Sequence, residues 1–309
     1  MKQKMILDVD TGVDDAIGII LAVKSRQFDV LGITTVNGNV SLETATRNTC
    51  KILDLLDEQH IPVIKGMNTP LFRETFFEHA VHGEDGLGGA LVDMEPKKMS
   101  DEGFAPDFII HSVLGFPGEV TLIMTGPLTN LALAIKKCPE MVKHVKEVIF
   151  MGGVIQGPGN VTPTAEYNTY VDPEAARIVL KAGFESITQV GLDVTRKVLL
   201  KDEHIDELEN AMLASYIKES TADYRKRYFE RNNISGCAMH DPLAVAVAIQ
   251  KSLVVTKGYF VDVETKSELC DGQLVCDFQN RLQQPANLSV CVDVDEQAFF
   301  DLFIRIINS

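Results

Sequence analysis

Short apolar runs rich in β-branched residues alternate along the chain with longer segments in which apolar positions recur every three or four residues. The runs at 5–7, 31–36, 63–64, 120–124, 148–151 and 187–190 have the length and continuity of strands buried on both faces, as in a parallel sheet. Between them, 14–24, 42–56, 128–137 and 173–182 carry helical periodicity. The last of these has Asp172-Pro173 as a start signal and Gly183 as a stop. Chaining of this kind predicts an α/β fold with parallel strands.

Past residue 200 the pattern changes. A long charged helical stretch over 201–231 and an apolar helix over 242–250 read as a helical insertion, about 201–250, flanking the site. Strands at 253–263 and 288–292 follow, and an amphipathic helix over 296–307 closes the chain. The stretch 76–106, which contains His82-Gly-Glu-Asp-Gly-Leu-Gly-Gly89, predicts a long loop over a site. With no internal repeat, low-complexity segment or flexible linker, the expectation is a single domain over 1–309.

Composition narrows the function classes. A net charge of −15 and a pI near 4.9 argue against a nucleic-acid partner, which needs a basic face. The six cysteines form no C-x-x-C pair and have no histidine at finger-like spacing, so free thiols in a reducing cytosol are the simpler reading. The amino terminus meets Asp8 after three apolar residues, too early for a signal peptide, and the apolar run 16–23 is too short to span a bilayer. A cytoplasmic protein with no membrane partner is expected.

The strongest chemical signal is Asp8-Val-Asp10-Thr-Gly12-Val-Asp14-Asp15, placed where a buried strand ends and a helix begins. Ligand crevices of open parallel sheets lie at the carboxyl ends of strands. Four carboxylates crowded there repel one another, and a cation relieves them; hard oxygen donors favour Ca²⁺ or Mg²⁺ over zinc. The alternative is that Asp14 and Asp15 only cap the following helix. An EF-hand-like loop lacks its preceding helix and its late glutamate.

Three further fragments fall at strand exits or helix starts. Thr125-Gly-Pro-Leu-Thr-Asn130 follows the strand 120–124 and offers a main-chain carbonyl as a neutral ligand. Ala238-Met-His240-Asp241-Pro242 sets a histidine beside a carboxylate, either as chemistry or as a plain helix start. The glycine-rich exit from Met151 to Asn160, with Ala165-Glu166-Tyr-Asn168, is poor in cations and rich in amide and carboxylate groups, which suits neutral sugar hydroxyls better than phosphates. Asn160 and Asn168 also read as turn residues.

Taken together, D-V-D-T-G-V-D-D, V-N-G-N, T-G-P-L-T-N, M-G-G, A-E-Y-N, V-D-P-E-A-A and H-D-P resemble the nucleoside hydrolases, the inosine-uridine-preferring N-ribohydrolases, in order and spacing from Asp8 to Pro242. The resemblance implies an open, mostly parallel sheet and hydrolysis of the N-glycosidic bond of ribonucleosides to ribose and base. It implies Ca²⁺ on Asp10, Asp15, the carbonyl of Thr125 and Asp241. It puts Asp14, Asn39, Asn160, Glu166 and Asn168 against the ribose, with Met151 beside the sugar. A dimer or tetramer is likewise implied. Thr11 departs from the proline that many relatives carry, which affects the stiffness of the loop.

Asp10 is then the group that takes a proton from the attacking water. His240 is the donor to the departing base by family position, with His82 the second candidate or a residue that closes over the ribose. Tyr224 and Tyr228, four apart, share one helical face that lines the base pocket or packs in the core. His60, His79, His111, His144 and His204 have no supporting constellation and default to packing or surface positions. Two competing readings stand beside this one. A haloacid dehalogenase-type phosphatase would use Asp8 of D-x-D as nucleophile with Mg²⁺, but leaves Asp14-Asp15 and His240-Asp241 unexplained. A non-catalytic nucleoside or sugar binder would not need an intact Asp10.

Overall fold

A computed structural model describes residues 2–78 and 82–309; His79 and the centre of the 76–87 loop lie outside the described residues. The strands are β1 (Gln3–Val9), β2 (Phe28–Thr35), β3 (Val63–Lys65), β4 (Val120–Met124), β5 (Glu147–Met151), β6 (Ile187–Val190), β7 (Leu199–Leu200), β8 (Cys237–Ala238), β9 (Val254–Tyr259), β10 (Val261–Val263), β11 (Leu274–Cys276) and β12 (Leu288–Val294). Eight of them form one sheet in the order β3-β2-β1-β4-β5-β6-β12-β9, parallel except that β9 runs against β12 at the edge.

Side-chain alternation along the strands divides the interior into two cores. Met5, Leu7 and Val9 of β1 join the core formed with helices Val13–Lys24, His240–Ile249 and Glu296–Ile307, while Ile6 joins the opposite one. Val148 and Phe150 of β5 likewise face the second core, with helices Ala105–Gly115, Thr129–Lys137 and Pro173–Leu180, and Ile149 and Met151 face the first. This two-sided burial is why the strands read as continuous apolar runs. The start signal Asp172-Pro173 holds, for the Asp172 carboxylate accepts from the main-chain N–H of Ala175 at 3.0 Å.

Three segments differ from the sequence-based expectation. The stretch 201–231 is three helices, Asp202–Asp206, Ala211–Ser220 and Ala222–Asn232, because Asn210 caps a new start on Leu213 and the chain turns again at Thr221. The strand expected over 253–263 divides: β9 stays on the sheet edge, and β10 leaves to pair antiparallel with β11, which packs Leu274 with Val261 and Val263 in the second core. The helix Ala105–Gly115 begins inside the predicted loop, with Pro106 in its first turn. Residues 83–104 carry no helix or longer strand, as the loop expectation had it.

Chain order on the sheet reverses beside β1. From β1 the chain builds outward through β2 and β3, then crosses back to place β4 on the other flank of β1, where Asp8 pairs with Met124 on one side and with Thr34 on the other. At such a switch point the loops leaving the two strands part and open a crevice. Gly18 of helix Val13–Lys24 faces Val245 and Asp241 at van der Waals distance, so the helices that begin at Val13 and His240 run together beneath that crevice. Among the described residues no helix is long and apolar enough to cross a membrane.

Candidate active site

A cavity of about 550 Å³ opens at the switch point, lined by Asp14, Asn39, Thr125, Met151, Asn160, Glu166, Asn168, Tyr224, Tyr228, His82, His240 and Asp241 among others. Asp10 and Asp15, wholly buried or nearly so, stand directly behind that lining, each bonded to Asn39. Every residue expected at the site from the sequence is therefore gathered in one place. The reason is topological: β1 delivers Asp10, the first turn of the following helix delivers Asp14 and Asp15, β4 delivers Thr125, and the first turn of helix His240–Ile249 delivers Asp241.

The floor is a cluster of carboxylates. Oxygens of Asp14, Asp15 and Asp241 come within 4.8 Å of one another. Asp10 is outside that trio, but its Oδ1 is buried without a hydrogen-bond partner, as is Oδ1 of Asp14. The remaining oxygens are fixed. Asp10 Oδ2 accepts from the main-chain N–H of Asn39 at 2.6 Å. Asp15 Oδ2 accepts from the N–H of Gly12 at 2.9 Å and from Asn39 Nδ2 at 3.2 Å, and its Oδ1 accepts from Thr125 Oγ1 at 2.7 Å. Gly38 is required by this approach, since a Cβ there would lie 2.0 Å from Asp10 Oδ2.

Burial pushes all four carboxyls upward, and neighbouring carboxylates push Asp10, Asp14 and Asp241 further. For Asp241 the added repulsion comes from Asp14, Asp15 and Asp10. His82 Nδ1 lies 3.8 Å from Asp14 Oδ1, but that nitrogen accepts from the N–H of Val13 at 3.1 Å and so brings no proton to the carboxylate. Three converging buried carboxylates, with unpartnered oxygens on Asp14 and on neighbouring Asp10, fit a hard divalent cation. Capping alone does not account for them, because Asp14 and Asp15 meet Asp241 from another helix.

The side wall is built from the loop after β5. Glu166 accepts from the N–H groups of Gly153 (2.7 Å), Asn168 (2.9 Å) and Thr169 (3.2 Å), and burial raises its carboxyl while those bonds hold it down. Asn168 Nδ2 donates to the carbonyl of Thr125 at 2.6 Å and to that of Met151 at 3.2 Å, tying β4 to β5. Asn160 Oδ1 accepts from Tyr167 N at 2.9 Å, so Asn160 is both a bend residue and cavity lining, whereas Asn168 lines the cavity from the short helix Tyr167–Val171 and is not a turn residue. At the other end Tyr224 and Tyr228 meet edge to face with centroids 6.1 Å apart. Tyr224 both packs in the core and lines the cavity, which joins the two readings of that face.

Other features run against expectation or went unseen. The wall is not free of cations: Arg196 and Arg227 line the cavity, with Glu78, Tyr167 and Ile234. Arg196 caps the carboxyl end of the short helix Leu192–Thr195 that follows β6, so the carboxyl-end rule points to the segment after that strand and not to the residue itself. Asp8, the nucleophile of the phosphatase reading, lies outside the cavity. It is fully buried, accepts from Thr34 Oγ1 at 2.5 Å and Asn130 Nδ2 at 2.8 Å, and burial pushes it up to about 7. Its Oδ2 is committed to Thr34 and Asn130, neither of which lines the cavity, so the Asp8 carboxylate is not placed to act as a nucleophile there.

Comparison with known proteins agrees with the geometry. The profile of the family described as inosine-uridine preferring nucleoside hydrolase matches residues 5–301. The inosine-uridine preferring nucleoside hydrolase of Crithidia fasciculata is 36% identical over 307 residues, 98% of this chain and 97% of the relative. The plant nucleoside hydrolase PpNRh1 superposes with a TM-score of 0.94 at 33% identity, each chain fully covered. A purine-preferring ribonucleoside hydrolase from Gardnerella vaginalis superposes at 0.92 with 33% identity, over 99% of this chain and 98% of that one. With the profile spanning nearly the whole sequence and its motifs meeting in one cavity, the chain belongs to the nucleoside hydrolase family and is an enzyme of that kind.

Proposed function

We propose that the enzyme hydrolyses the N-glycosidic bond of ribonucleosides with a Ca²⁺ ion held by Asp10, Asp15, Asp241 and the main-chain carbonyl of Thr125. The observation that carries this reading is the buried carboxylate cluster in the floor of a cavity whose wall includes Asn39, Asn160, Asn168 and Glu166. Such a floor repels phosphate and attracts, through a cation, neutral vicinal hydroxyls. When bound, the cation offsets the clustered charge and lowers the pKa of a water molecule.

In this reading Asp10 Oδ1, the oxygen without a partner, accepts a proton from the attacking water. The water oxygen bonds to C1′ of the ribose as the bond to the base nitrogen breaks, and the bonding pair leaves with the base. Asp14 and Glu166 stabilise positive charge developing on the sugar, while Asn39, Asn160 and Asn168 hold its hydroxyls and Met151 packs beside it. His240 faces the departing base as hydrogen donor, and Tyr224 and Tyr228 supply aromatic faces. His82 is held beside Asp14 by accepting from the N–H of Val13 at the helix start. A cytoplasmic dimer or tetramer is the accompanying expectation, checked by light scattering on the eluted protein.

The test is ribose release from uridine, cytidine, inosine and adenosine, with Ca²⁺ and after prolonged dialysis against EDTA. Relatives differ in base preference by name, so all four are run. Release from at least one nucleoside, lost in EDTA and in Asp10→Ala, supports the reading. No release from any of them, with a phosphate ester cleaved instead, overturns it.

A further inference from the structure

The turn that follows β6 touches two parts of the cavity at once. Asp193 accepts from the main-chain N–H of Ile155 at 2.9 Å and of Gln156 at 2.7 Å. Arg196 donates to the carbonyls of Pro158 and Gly159, each at 2.7 Å. These four bonds hold the loop that brings Asn160 to the sugar side. Between them Thr195, wholly buried, sets its Oγ1 at 2.7 Å from His240 Nδ1.

The framework around that contact holds its two sides in register. β7 and β8 pair antiparallel, Leu199 with Ala238 and Leu200 with Cys237, and Met239 N donates to the carbonyl of Val198 at 3.0 Å. The segments carrying Thr195 and His240 thus lie side by side although they are far apart in sequence. The turn is itself anchored to the sheet, for Leu192 N donates to Gly153 O at 3.0 Å and Gln189 Nε2 to Gly152 O at 2.8 Å.

We infer that Thr195 is a positioning residue for the reaction proposed above: its hydroxyl fixes the rotation of the His240 ring so that Nε2 is the nitrogen presented to the leaving base. A hydroxyl donates to a bare Nδ1 or accepts from a protonated one, so the ring stays held in either tautomer. A methyl group in its place leaves Nδ1 without that partner and the ring free to turn. The inference rests on the nucleoside hydrolase reading and adds to it a residue outside the cavity lining.

The experiment compares Thr195→Val, which removes the hydroxyl at nearly constant volume, with Thr195→Ser, which keeps it. Each is assayed on the best nucleoside and on p-nitrophenyl β-D-ribofuranoside, whose phenolate departs without a proton. Expected for Thr195→Val is a fall in kcat of about 10- to 100-fold on the nucleoside, with KM within about threefold and a much smaller loss on the aryl riboside. Thr195→Ser should recover most of the nucleoside rate, and in a His240→Ala background Thr195→Val should cost nothing further. Equal losses on both substrates, a serine variant as impaired as the valine one, or additive losses with His240→Ala would overturn the inference. Thr195→Ala, run in parallel, gives the same comparison if the valine variant does not fold. A wild-type enzyme inactive on every nucleoside would instead remove the functional reading beneath it.

Discussion

Replacing Asp241 by asparagine is expected to move stability in opposite directions with and without a divalent cation. In the metal-free protein this buried carboxylate has oxygens of Asp14 and Asp15 within 4.8 Å. Two unit charges at that separation repel by about 3.5 kcal/mol at an effective dielectric constant near 20. Proton uptake limits the penalty, since keeping one aspartate neutral at pH 7 costs about 4 kcal/mol relative to the free side chain. Asparagine keeps the size and removes the charge, so in chelator the variant should gain about 1 to 4 kcal/mol. For 309 residues each kcal/mol corresponds to about 1.5 °C, which puts the expected rise in Tm at about 2 to 6 °C. In Ca²⁺ at a thousandfold excess over Kd the wild type gains about 4 kcal/mol, and the variant, one ligand short, forfeits most of it. Its Tm then falls below that of the wild type wherever the binding energy forfeited exceeds the repulsion relieved.

Thermal melts in EDTA and in Ca²⁺ read both arms. An asparagine variant less stable than the wild type in both buffers would refute the claim that like-charge repulsion dominates the empty floor. Acidity gives a further check of sign. Burial, then Asp14 and Asp15, raise the Asp241 carboxyl well above its usual range. Between about pH 4 and that raised value the folded metal-free protein binds more protons than the unfolded chain, so stability falls as pH rises through the window. Lowering the pH from 7 to 5 in EDTA should therefore raise the wild-type Tm, and raise it less in Asp241→Asn.

Gly38→Ala would force a Cβ toward Asp10 Oδ2, where 2.0 Å is available. The expected result is a loss of about 100-fold in kcat with about 1 to 3 kcal/mol of stability, seen in ribose release and in melts; unchanged activity would show that the position of Asp10 is not critical. Asp8→Asn keeps an acceptor for Thr34 and Asn130. It should change stability by less than about 1 kcal/mol and leave ribose release within about threefold, whereas an inactive, well-folded variant would place Asp8 in the chemistry.

How much of this was legible beforehand follows from what each residue answers to. Strands buried on both faces declare themselves as apolar runs, so β4 and β6 are found at their observed bounds, and the final helix Glu296–Ile307 follows from its own amphipathic pattern. The aspartates, Thr125, Glu166 and His240 stand at strand exits and helix starts, where sequence position and spatial position coincide. β10 and β11 answer instead to tertiary context. Nothing within the run 253–263 says that the chain leaves the sheet after Tyr259, because the reason is the packing of Val261 and Val263 against Leu274. Thr195 is invisible for the same reason, since its significance lies in a partner brought to it by the pairing of β7 with β8.

The acidic floor joins the beginning of one helix at Val13 to the beginning of another at His240, more than 220 residues further along the chain. During synthesis the early aspartates therefore wait, without their fourth carboxylate, until most of the protein has been made. A cation seated there closes a loop of more than 220 residues, so its capture reports that the segments carrying the two helix starts have docked. A chain truncated before His240 would keep β1, β4 and the Asp10–Asp15 turn and still lack the clasp that locks them together.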